Sequence, residues 1–274
     1  VPLLARVYPN GAADVNQFQA AGGPGWLIRE LLGAGLLHGD VPTVAGEGLA
    51  AYCREPWLEE GRLAWRDLPE QSPAEDIVRP AAAPFAQESG LQLLSGNLGR
   101  AMVKTSAVDP AYWQVRAPAR VFDSEAAVHQ AYAAGLLQGD LVLVVRFQGP
   151  RANGMPELHK LMPLLVNLQR NGQRVALVTD GRLSGASGQV LAALHLTPEA
   201  AAGGVLARVQ EGDWINVDAL SGRLELEVSE AELATRQPAR LPEELAAGFG
   251  LGLFATQRRL VGPADQGATT LEWE

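Results

Sequence analysis

A glycine-rich segment that contains two serines follows an apolar run in the second half of the chain. The segment TDGRLSGASG (179–188) overlaps the end of the run RVALVTD (174–180). Its glycines are Gly181, Gly185 and Gly188. Glycines allow a tight turn that exposes main-chain N–H groups and brings Ser184 close to a ligand. An ordinary strand-to-helix connection explains the pattern equally well, and neither a phosphate-loop nor a hydrolase-elbow motif is present.

A second candidate is the segment RFQGPRANGMPELHK (146–160). Pro156 suits the first position of a helix, and Glu157 would then lie in the first turn, where the helix dipole favours an anion. The other interpretation of Glu157 is a carboxylate ligand for a hard cation such as Mg²⁺. His159 and Lys160 could bind a substrate anion or could be solvated.

Two further residue types with reactive side chains give weaker indications. His195 lies between apolar residues, and a structural role is at least as well supported as a catalytic one. Cys53 has only Arg54 as a basic neighbour, which favours a structural thiol. A single cysteine excludes an internal disulfide framework and an all-cysteine cage for an iron–sulfur cluster within the chain.

The elements around these segments point to a mixed α/β fold. Valine-rich runs at 141–147 and 174–180 are typical of strands covered on both faces. Between them, residues 156–170 have leucines at helical spacing, with Pro163 predicting a kink or two shorter helices. Near the end, WINVD (214–218) and RLELEV (223–228) predict a hairpin across a Ser–Gly turn.

The chain divides by composition into three regions. A helix is predicted from Trp26 to Leu37, with Gly35 near its C-terminal end. Residues 71–90 contain three prolines and a run of alanines, which is typical of a linker. We therefore predict a first region at 1–78, a linker at 79–90 and a second domain at 91–274.

The overall charge excludes some classes of function. The chain has 22 basic and 31 acidic residues, a net charge of −9, so we expect no general nucleic-acid surface. No run of 18 apolar residues and no secretory signal is present, so we expect no membrane span. The sequence begins at Val1 rather than at methionine, and we expect it to be part of a longer protein.

Many separated segments together resemble one known family. They are, in order, VYPNGAADVNQF, AAGGPGWLIRELL, TVAGEGL, IVRP, SGNLGRAMVK, VFDSEAAV, GDLVLVVRFQGPRANGMPELHK, ALVTDGRLSGASG and HLTPEA. This series resembles the dihydroxy-acid and phosphogluconate dehydratase family from the middle of its sequence to the end. The FQGPRANGMPELHK and DGRLSGASG segments resemble the phosphogluconate branch most.

The resemblance implies a cytoplasmic lyase that removes water from 6-phosphogluconate in the Entner–Doudoroff pathway. It implies an iron–sulfur cluster (4Fe–4S) and Mg²⁺ as cofactors, a sugar-acid phosphate as ligand and a homodimer of the full-length protein. The fold it implies is a β-barrel-like, swivelling β/β/α domain at 91–274. Before this domain it implies a mostly helical tail of the N-terminal α/β domain at 1–78.

The resemblance also implies roles for individual residues. Ser184 matches the family's proton-abstracting base, and Glu157 matches a carboxylate ligand of Mg²⁺. Weaker candidates for substrate contact are Asn97, His159, Lys160 and Arg182.

Departures from the family pattern limit what this chain can do by itself. Gln17 and Gln19 stand where the family usually has histidines. The cluster cysteines belong to the preceding half of the family's sequence, and Cys53 matches none of them. We therefore expect the chain to hold no cluster and to have no dehydratase activity alone. We expect residues 1–70 to pack poorly or to lean on a partner copy.

Two alternatives remain open from the sequence. The protein could dehydrate a related acid, such as an aldonate or a dihydroxy acid. It could instead be a non-catalytic barrel that binds a ligand or a partner, although the presence of both Ser184 and Glu157 argues against this.

Overall fold

The computed structural model describes residues 1–8, 10–88, 90–184, 188–243, 245 and 252–271. The chain forms two compact units, Val1–Gly90 and Leu91–Glu274. Within the TDGRLSGASG segment, residues 185–187 lie outside the described residues, so the predicted turn at Gly185 does too.

The first unit contains two helices and two small hairpins. The elements are α1 (Val15–Ala20), α2 (Gly23–Gly33), β1 (Pro42–Thr43), β2 (Gly46–Glu47), β3 (Arg54–Glu59) and β4 (Arg62–Asp67). A small core of Ala21, Trp26, Leu68 and Val78 joins them. The predicted helix is confirmed, with its bounds shifted towards the N-terminus, and the two hairpins were not anticipated from the sequence.

Residues of the predicted linker pack within the first unit. Isolated β-bridges join Leu3 to Ala86 and Ala5 to Val78. The Ser72 hydroxyl donates a 2.7 Å hydrogen bond to the carbonyl of Ala21. The proposed division at 1–78, 79–90 and 91–274 into parts of two family domains stays a prediction.

The second unit is built on a closed eight-stranded barrel. Its strands are β5 (Leu91–Gly96), β6 (Gly99–Lys104), β7 (Gln114–Phe122), β8 (Leu141–Val145), β9 (Val175–Thr179), β10 (Leu191–Thr197), β11 (Trp214–Asp218) and β12 (Arg223–Leu226). Around the barrel the order is β10-β6-β5-β12-β11-β7-β8-β9. The mixed α/β prediction with a barrel-like second domain is therefore confirmed.

Helices accompany the barrel in the second unit. The described α-helices are α3 (Glu125–Ala133), α4 (Pro150–Asn153), α5 (Leu161–Arg170), α6 (Glu230–Thr235) and α7 (Ala255–Leu260). Strands β7, β8, β9 and β10 are parallel neighbours, and α3 and α5 connect β7 to β8 and β8 to β9. Such connections are the usual way to join parallel strands.

The central strands are buried on both faces, as their sequence predicts. In β8, Val142 and Val144 belong to a core cluster that draws members from all eight barrel strands. Leu141, Leu143 and Val145 alternate with them and pack in a second cluster with residues of α3 and α5. One cluster fills the barrel and the other binds the helices to its outside, because successive side chains of a strand point to opposite faces.

Two local predictions had different outcomes. The hairpin is confirmed, because β11 and β12 pair antiparallel from Ile215–Leu226 to Asp218–Arg223. The helix start at Pro156 is wrong: α5 begins at Leu161, and Glu157 forms an isolated β-bridge with Arg182 instead. Pro163 lies in the first turn of α5, where the missing N–H has no partner within the helix anyway.

None of the described helices is long and apolar enough to cross a bilayer.

We expect Leu143→Ala to lower the free energy of unfolding by about 2–5 kcal/mol, because it leaves a cavity between the barrel and its helices. Leu143 is fully buried, whereas the control residue Leu220 is 68% exposed in the β11–β12 turn. Leu220→Ala should change stability by less than about 0.5 kcal/mol. Urea unfolding measures both, and equal effects of the two substitutions would contradict the described packing.

Candidate functional site

The four parallel strands end at the same rim of the barrel. Polar or charged residues follow three of them directly, and a proline–glutamate pair follows the fourth. These residues are Asp123 after β7, Arg146 after β8, Asp180 after β9 and Pro198–Glu199 after β10. The carboxyl ends of parallel strands are where α/β proteins most often place their ligand sites.

Three of the residues predicted from the sequence lie together beside this rim. Ser184, Glu157 and His159 line one depression of about 490 Å³. Its remaining lining residues are Met162, Pro163, Val166, Gly188 and Gln189. The segment after β9 and the segment that leads into α5 thus both contribute to it.

Direct contacts between the two segments fix the position of Glu157. The main chains of Glu157 and Arg182 form a parallel bridge, and the N–H of Leu158 donates to the Arg182 carbonyl at 2.9 Å. The guanidinium of Arg182 lies 3.6 Å from the Glu157 carboxylate and donates through Nε to the Met155 carbonyl at 3.0 Å. Glu157 therefore does not lie on a helix. Its bridge partner Arg182 is two residues before Ser184, which brings Glu157 close to Ser184.

The basic side chains at the rim and beside the depression differ in their exposure to solvent and in whether a carboxylate already pairs with them. His159 and Lys160 are exposed, immediately before α5. Arg146 at the rim has a side chain that is only 15% exposed and forms an ion pair with Asp123, so its charge is already compensated. Arg182, at 45% exposure, is the cation nearest to Glu157.

Asn97 lies away from this depression and uses its whole amide group on the main chain. It is in the turn between β5 and β6. Its Nδ2 donates to the Leu226 carbonyl at 2.7 Å, and its Oδ1 accepts from the Leu226 N–H at 2.8 Å. The geometry gives Asn97 the structural role of tying this turn to β12, and substrate contact by Asn97 stays a prediction.

The sequence analysis did not identify Asp180, although it lies at the centre of the rim. The side chain is fully buried. Its Oδ1 accepts from the N–H of Gln148 at 2.8 Å, and its Oδ2 accepts from the N–H groups of Phe147 and Ala200 at 3.2 and 2.9 Å. An acidic residue directly after a fully buried, mostly apolar strand was the available sequence signal.

Glu199 is a second buried carboxylate at the rim. It is 7% exposed and accepts from the main-chain N–H groups of Arg151 and Ala152 at 2.8 and 3.1 Å. Both N–H groups belong to the first turn of α4, where no partner within the helix exists. Glu199 thereby holds the loop after β8 against the loop after β10.

Burial raises the pKa of the Asp180 carboxyl to about 6. The hydrogen bonds from Ala200, Gln148 and Phe147 act in the opposite direction, and the neighbouring negative charge of Glu199 raises the pKa further. Desolvation thus outweighs the three donors, and above pH 6 the ionised form that can accept all three bonds predominates.

A larger cavity of about 540 Å³ lies next to Glu199 and is a less suitable candidate. Its charged lining residues are Arg100, Arg151, Glu199 and Asp265. Arg100 pairs with Asp265 at 3.1 Å. Two carboxylates balance two guanidinium groups, so this lining has no clear preference for an anion.

The two residues with weak sequence indications have surroundings that fit structural roles. Burial, and then the charge of Arg182, lower the pKa of His195, which is half-buried. Its main-chain N–H donates to the Gly181 carbonyl at 3.0 Å, so the residue links β10 to the segment after β9. Burial raises the pKa of the Cys53 thiol, which makes it a poorer nucleophile near neutral pH.

This chain has few side chains that could bind the iron–sulfur cluster and the Mg²⁺ that the family resemblance implies. The single cysteine, Cys53, does not fit an iron–sulfur cluster. The described residues contain no group of three or more histidine, cysteine, aspartate or glutamate side chains that could hold a metal ion. Glu157 fits Mg²⁺ as one hard oxygen ligand, and the remaining ligands would have to come from elsewhere.

These observations define a mixed β-barrel domain that presents a serine and a carboxylate on adjoining loops. The family model described as dihydroxy-acid/6-phosphogluconate dehydratase C-terminal matches residues 76–268. The N-terminal model of the same family matches residues 1–52. The chain belongs to the dihydroxy-acid/6-phosphogluconate dehydratase family.

Curated relatives agree with this assignment. The chain is 56% identical over 268 residues to a phosphogluconate dehydratase of Pseudomonas aeruginosa, covering 98% of this chain and 44% of that protein. It is 55% identical over 273 residues to a phosphogluconate dehydratase of Escherichia coli, covering 99% and 45%. A dihydroxy-acid dehydratase of Acaryochloris marina is 37% identical over 276 residues, covering 98% and 46%. The chain thus spans less than half the length of these relatives.

We expect Asn97→Ala to lower the free energy of unfolding by about 1–3 kcal/mol, because the N–H of Leu226 loses its side-chain acceptor and the Leu226 carbonyl keeps only the N–H of Val228 as a donor. Asn97→Asp, which keeps the acceptor but not the donor, should lie between this variant and the wild type. Urea unfolding of the three proteins measures the order. Full stability of Asn97→Ala would show that the bonds to Leu226 do not hold the barrel together.

We expect the stability that Asp180 contributes to fall as the pH rises from about 4 to 6. In this window the folded chain keeps a proton that the unfolded chain, with a pKa near 3.8, has released. The difference in unfolding free energy between wild type and Asp180→Asn should therefore decrease by up to about 3 kcal/mol and then level off. Urea unfolding at several pH values measures this, and a constant difference would contradict the raised pKa.

Proposed function

We propose that the full-length protein is a hydro-lyase that converts 6-phospho-D-gluconate to 2-keto-3-deoxy-6-phosphogluconate. The observation that carries this proposal is the common depression lined by Ser184 and Glu157 in a chain of this family. The identities of 55–56% to proteins named phosphogluconate dehydratase support this substrate over a dihydroxy acid. This chain would supply one wall of the active site.

We propose that Ser184 takes the proton from C2 of the substrate. A neutral hydroxyl is too weak a base for a proton next to a carboxylate, so Ser184 Oγ must act in its ionised form. The C2–H electron pair then forms the double bond to C3 as the C3 hydroxyl leaves and takes up a proton to form water. The resulting enol becomes the 2-keto acid.

We propose that Glu157 is a ligand of Mg²⁺ in the full-length protein. The cluster and the metal would supply Lewis-acid stabilisation of the leaving hydroxyl and of the developing negative charge. Because this chain lacks ligands for a cluster, the part of the protein outside it must provide them. Arg182, 3.6 Å from Glu157, would hold the carboxylate in place.

The two exposed side chains before α5 can donate hydrogen bonds to the anionic ends of the substrate. We propose that His159, which lines the depression, and Lys160 beside it contact the substrate's carboxylate or phosphate. Arg182 can contribute as well, because its side chain is 45% exposed.

We also propose a homodimer of the full-length protein, with residues 1–78 as the end of its N-terminal domain.

A second candidate is a dehydratase of a related aldonate or dihydroxy acid. The 37% identity to a dihydroxy-acid dehydratase supports the same reaction type with another substrate. A non-catalytic barrel that only binds a ligand is the remaining alternative. Turnover of the different acids separates these possibilities.

We expect Ser184→Ala in the cofactor-loaded full-length protein to lower kcat for 6-phosphogluconate by about 10²–10⁴-fold, because the base is lost. KM should change little, since the hydroxyl is not needed to hold the substrate. Formation of the keto-deoxy product under anaerobic conditions measures the rate. Ser229→Ala, which removes only the cap of α6, is the matched control and should keep the wild-type kcat.

Three outcomes would change the proposal. Undiminished turnover by Ser184→Ala would remove the base role of Ser184. Turnover of another sugar acid or dihydroxy acid, but not of 6-phosphogluconate, would favour the second candidate. A loaded wild type that turns over none of these acids would favour the ligand-binding barrel.

A further inference from the structure

We propose that Asp180 and Glu199 are positioning residues. They hold the loop after β9, which carries Ser184, at a fixed distance from the loop between β8 and α5, which carries Glu157. We refer to the two carboxylates as the rim clamp. Neither side chain lines the depression in which Ser184 and Glu157 meet, so the rim clamp acts through the loops it joins. The catalytic part of this inference rests on the proposed function.

Asp180 joins loops that follow three different strands. It belongs to the segment after β9 itself, four residues before Ser184. Its carboxylate accepts from Phe147 and Gln148 in the loop after β8 and from Ala200 in the loop after β10. The loop after β8 continues through α4 to Glu157, so this one carboxylate controls the spacing of both candidate catalytic segments.

Glu199 completes the connection from the opposite side. Its two oxygens accept from Arg151 and Ala152 at the start of α4. The backbone comes close here as well: a Cβ added to Gly149 would lie 2.3 Å from the Glu199 carboxylate, and one added to Gly181 would lie 2.7 Å from Gln148 Cβ. The loops after β8, β9 and β10 are therefore tightly packed. A substitution of either carboxylate should displace the neighbouring loops as well.

The chemistry of the groups explains why carboxylates are used. The donors are main-chain N–H groups that strand pairing and helix geometry leave without partners, and leaving them unpaired inside the protein is costly. A carboxylate has acceptor capacity on both oxygens, whereas an amide offers one oxygen and one donor. An asparagine at position 180 that faces Phe147 and Ala200 with its oxygen would turn its NH₂ group towards the N–H of Gln148.

This atom-level difference predicts a graded effect on catalysis. Asp180→Asn in the cofactor-loaded full-length protein should lower kcat by about 10-fold, and Asp180→Ala by about 100-fold or more. A displacement of about 1 Å between reacting groups has an effect of this size. KM should stay within about threefold, because the residues that contact the substrate are unchanged. Glu199→Gln should behave like Asp180→Asn.

Asp218→Asn is the matched control. Asp218 is also a buried carboxylate: its Oδ1 accepts from the main-chain N–H groups of Leu220 and Ser221, and its Oδ2 accepts from the side chains of Gln114 and Ser221. It lies beside Gln114 at the start of β7, which is the opposite end of the barrel from the rim. Asp218→Asn should lower the unfolding temperature as much as Asp180→Asn does, and its kcat should stay within about twofold of the wild-type value.

Amide hydrogen exchange of the same full-length proteins tests the rim clamp without any assay of activity. In Asp180→Ala, exchange at Phe147, Gln148 and Ala200 should be at least about 10-fold faster than in wild type. In Asp180→Asn, one of these amides, Gln148, should account for most of the change. Amides next to Asp218 should be unaffected in both variants.

Several results would overturn the inference. Asp180→Ala with kcat within about threefold of wild type, or with unchanged exchange at all three amides, would show that the rim clamp positions nothing. An equal loss of kcat in Asp218→Asn would show a general effect of stability instead. If Asp180→Ala does not fold, Asp180→Asn and Glu199→Gln decide by the same criteria. If the wild type turns over no acid, the proposed function fails, and the exchange measurements still decide on the rim clamp.

Discussion

The run of four parallel strands within the closed eight-stranded barrel is the constraint on which the rest of the second unit depends. Parallel pairing brings the carboxyl ends of β7, β8, β9 and β10 to one rim, and closure leaves no strand with an unpaired edge. Each central strand is buried on both faces, so its register cannot slip without exposing a row of apolar side chains. The loops at the rim therefore start from fixed points.

Fixed starting points alone do not define a site, because the loops that leave them carry unpaired main-chain N–H groups. Asp180 and Glu199 accept from five of these groups, and this offsets part of the cost of burying two carboxylates close together. The Glu157–Arg182 bridge adds a short parallel contact between the same loops. As a result, a serine and a glutamate that are 27 positions apart in the sequence line one depression.

The first unit has a different balance of forces. Its core consists of four buried residues, while Trp57, Leu58, Leu63 and Trp65 on its longer hairpin are between 47% and 71% exposed. A hairpin of two strands is at best marginally stable by itself in water. The family's N-terminal model matches residues 1–52, and the relatives are more than twice as long as this chain. That this unit is the end of a larger domain stays a prediction.

The sequence by itself determined the strands at 141–145 and 175–179, the β11–β12 hairpin and the family. Continuous valine-rich runs and alternating leucines report burial directly, and long matching motifs do not depend on tertiary detail. Through the resemblance it also pointed to Ser184 and Glu157, whose roles stay predictions. It placed Glu157 wrongly on a helix, because Pro156 has the local pattern of a helix start. Only the tertiary structure decided that Glu157 pairs with Arg182, that Asn97 bonds to Leu226, and that Asp180 collects N–H groups from two other loops. Those contacts join residues 20 to 129 positions apart, and no local pattern of side chains encodes which distant main-chain groups lack a partner.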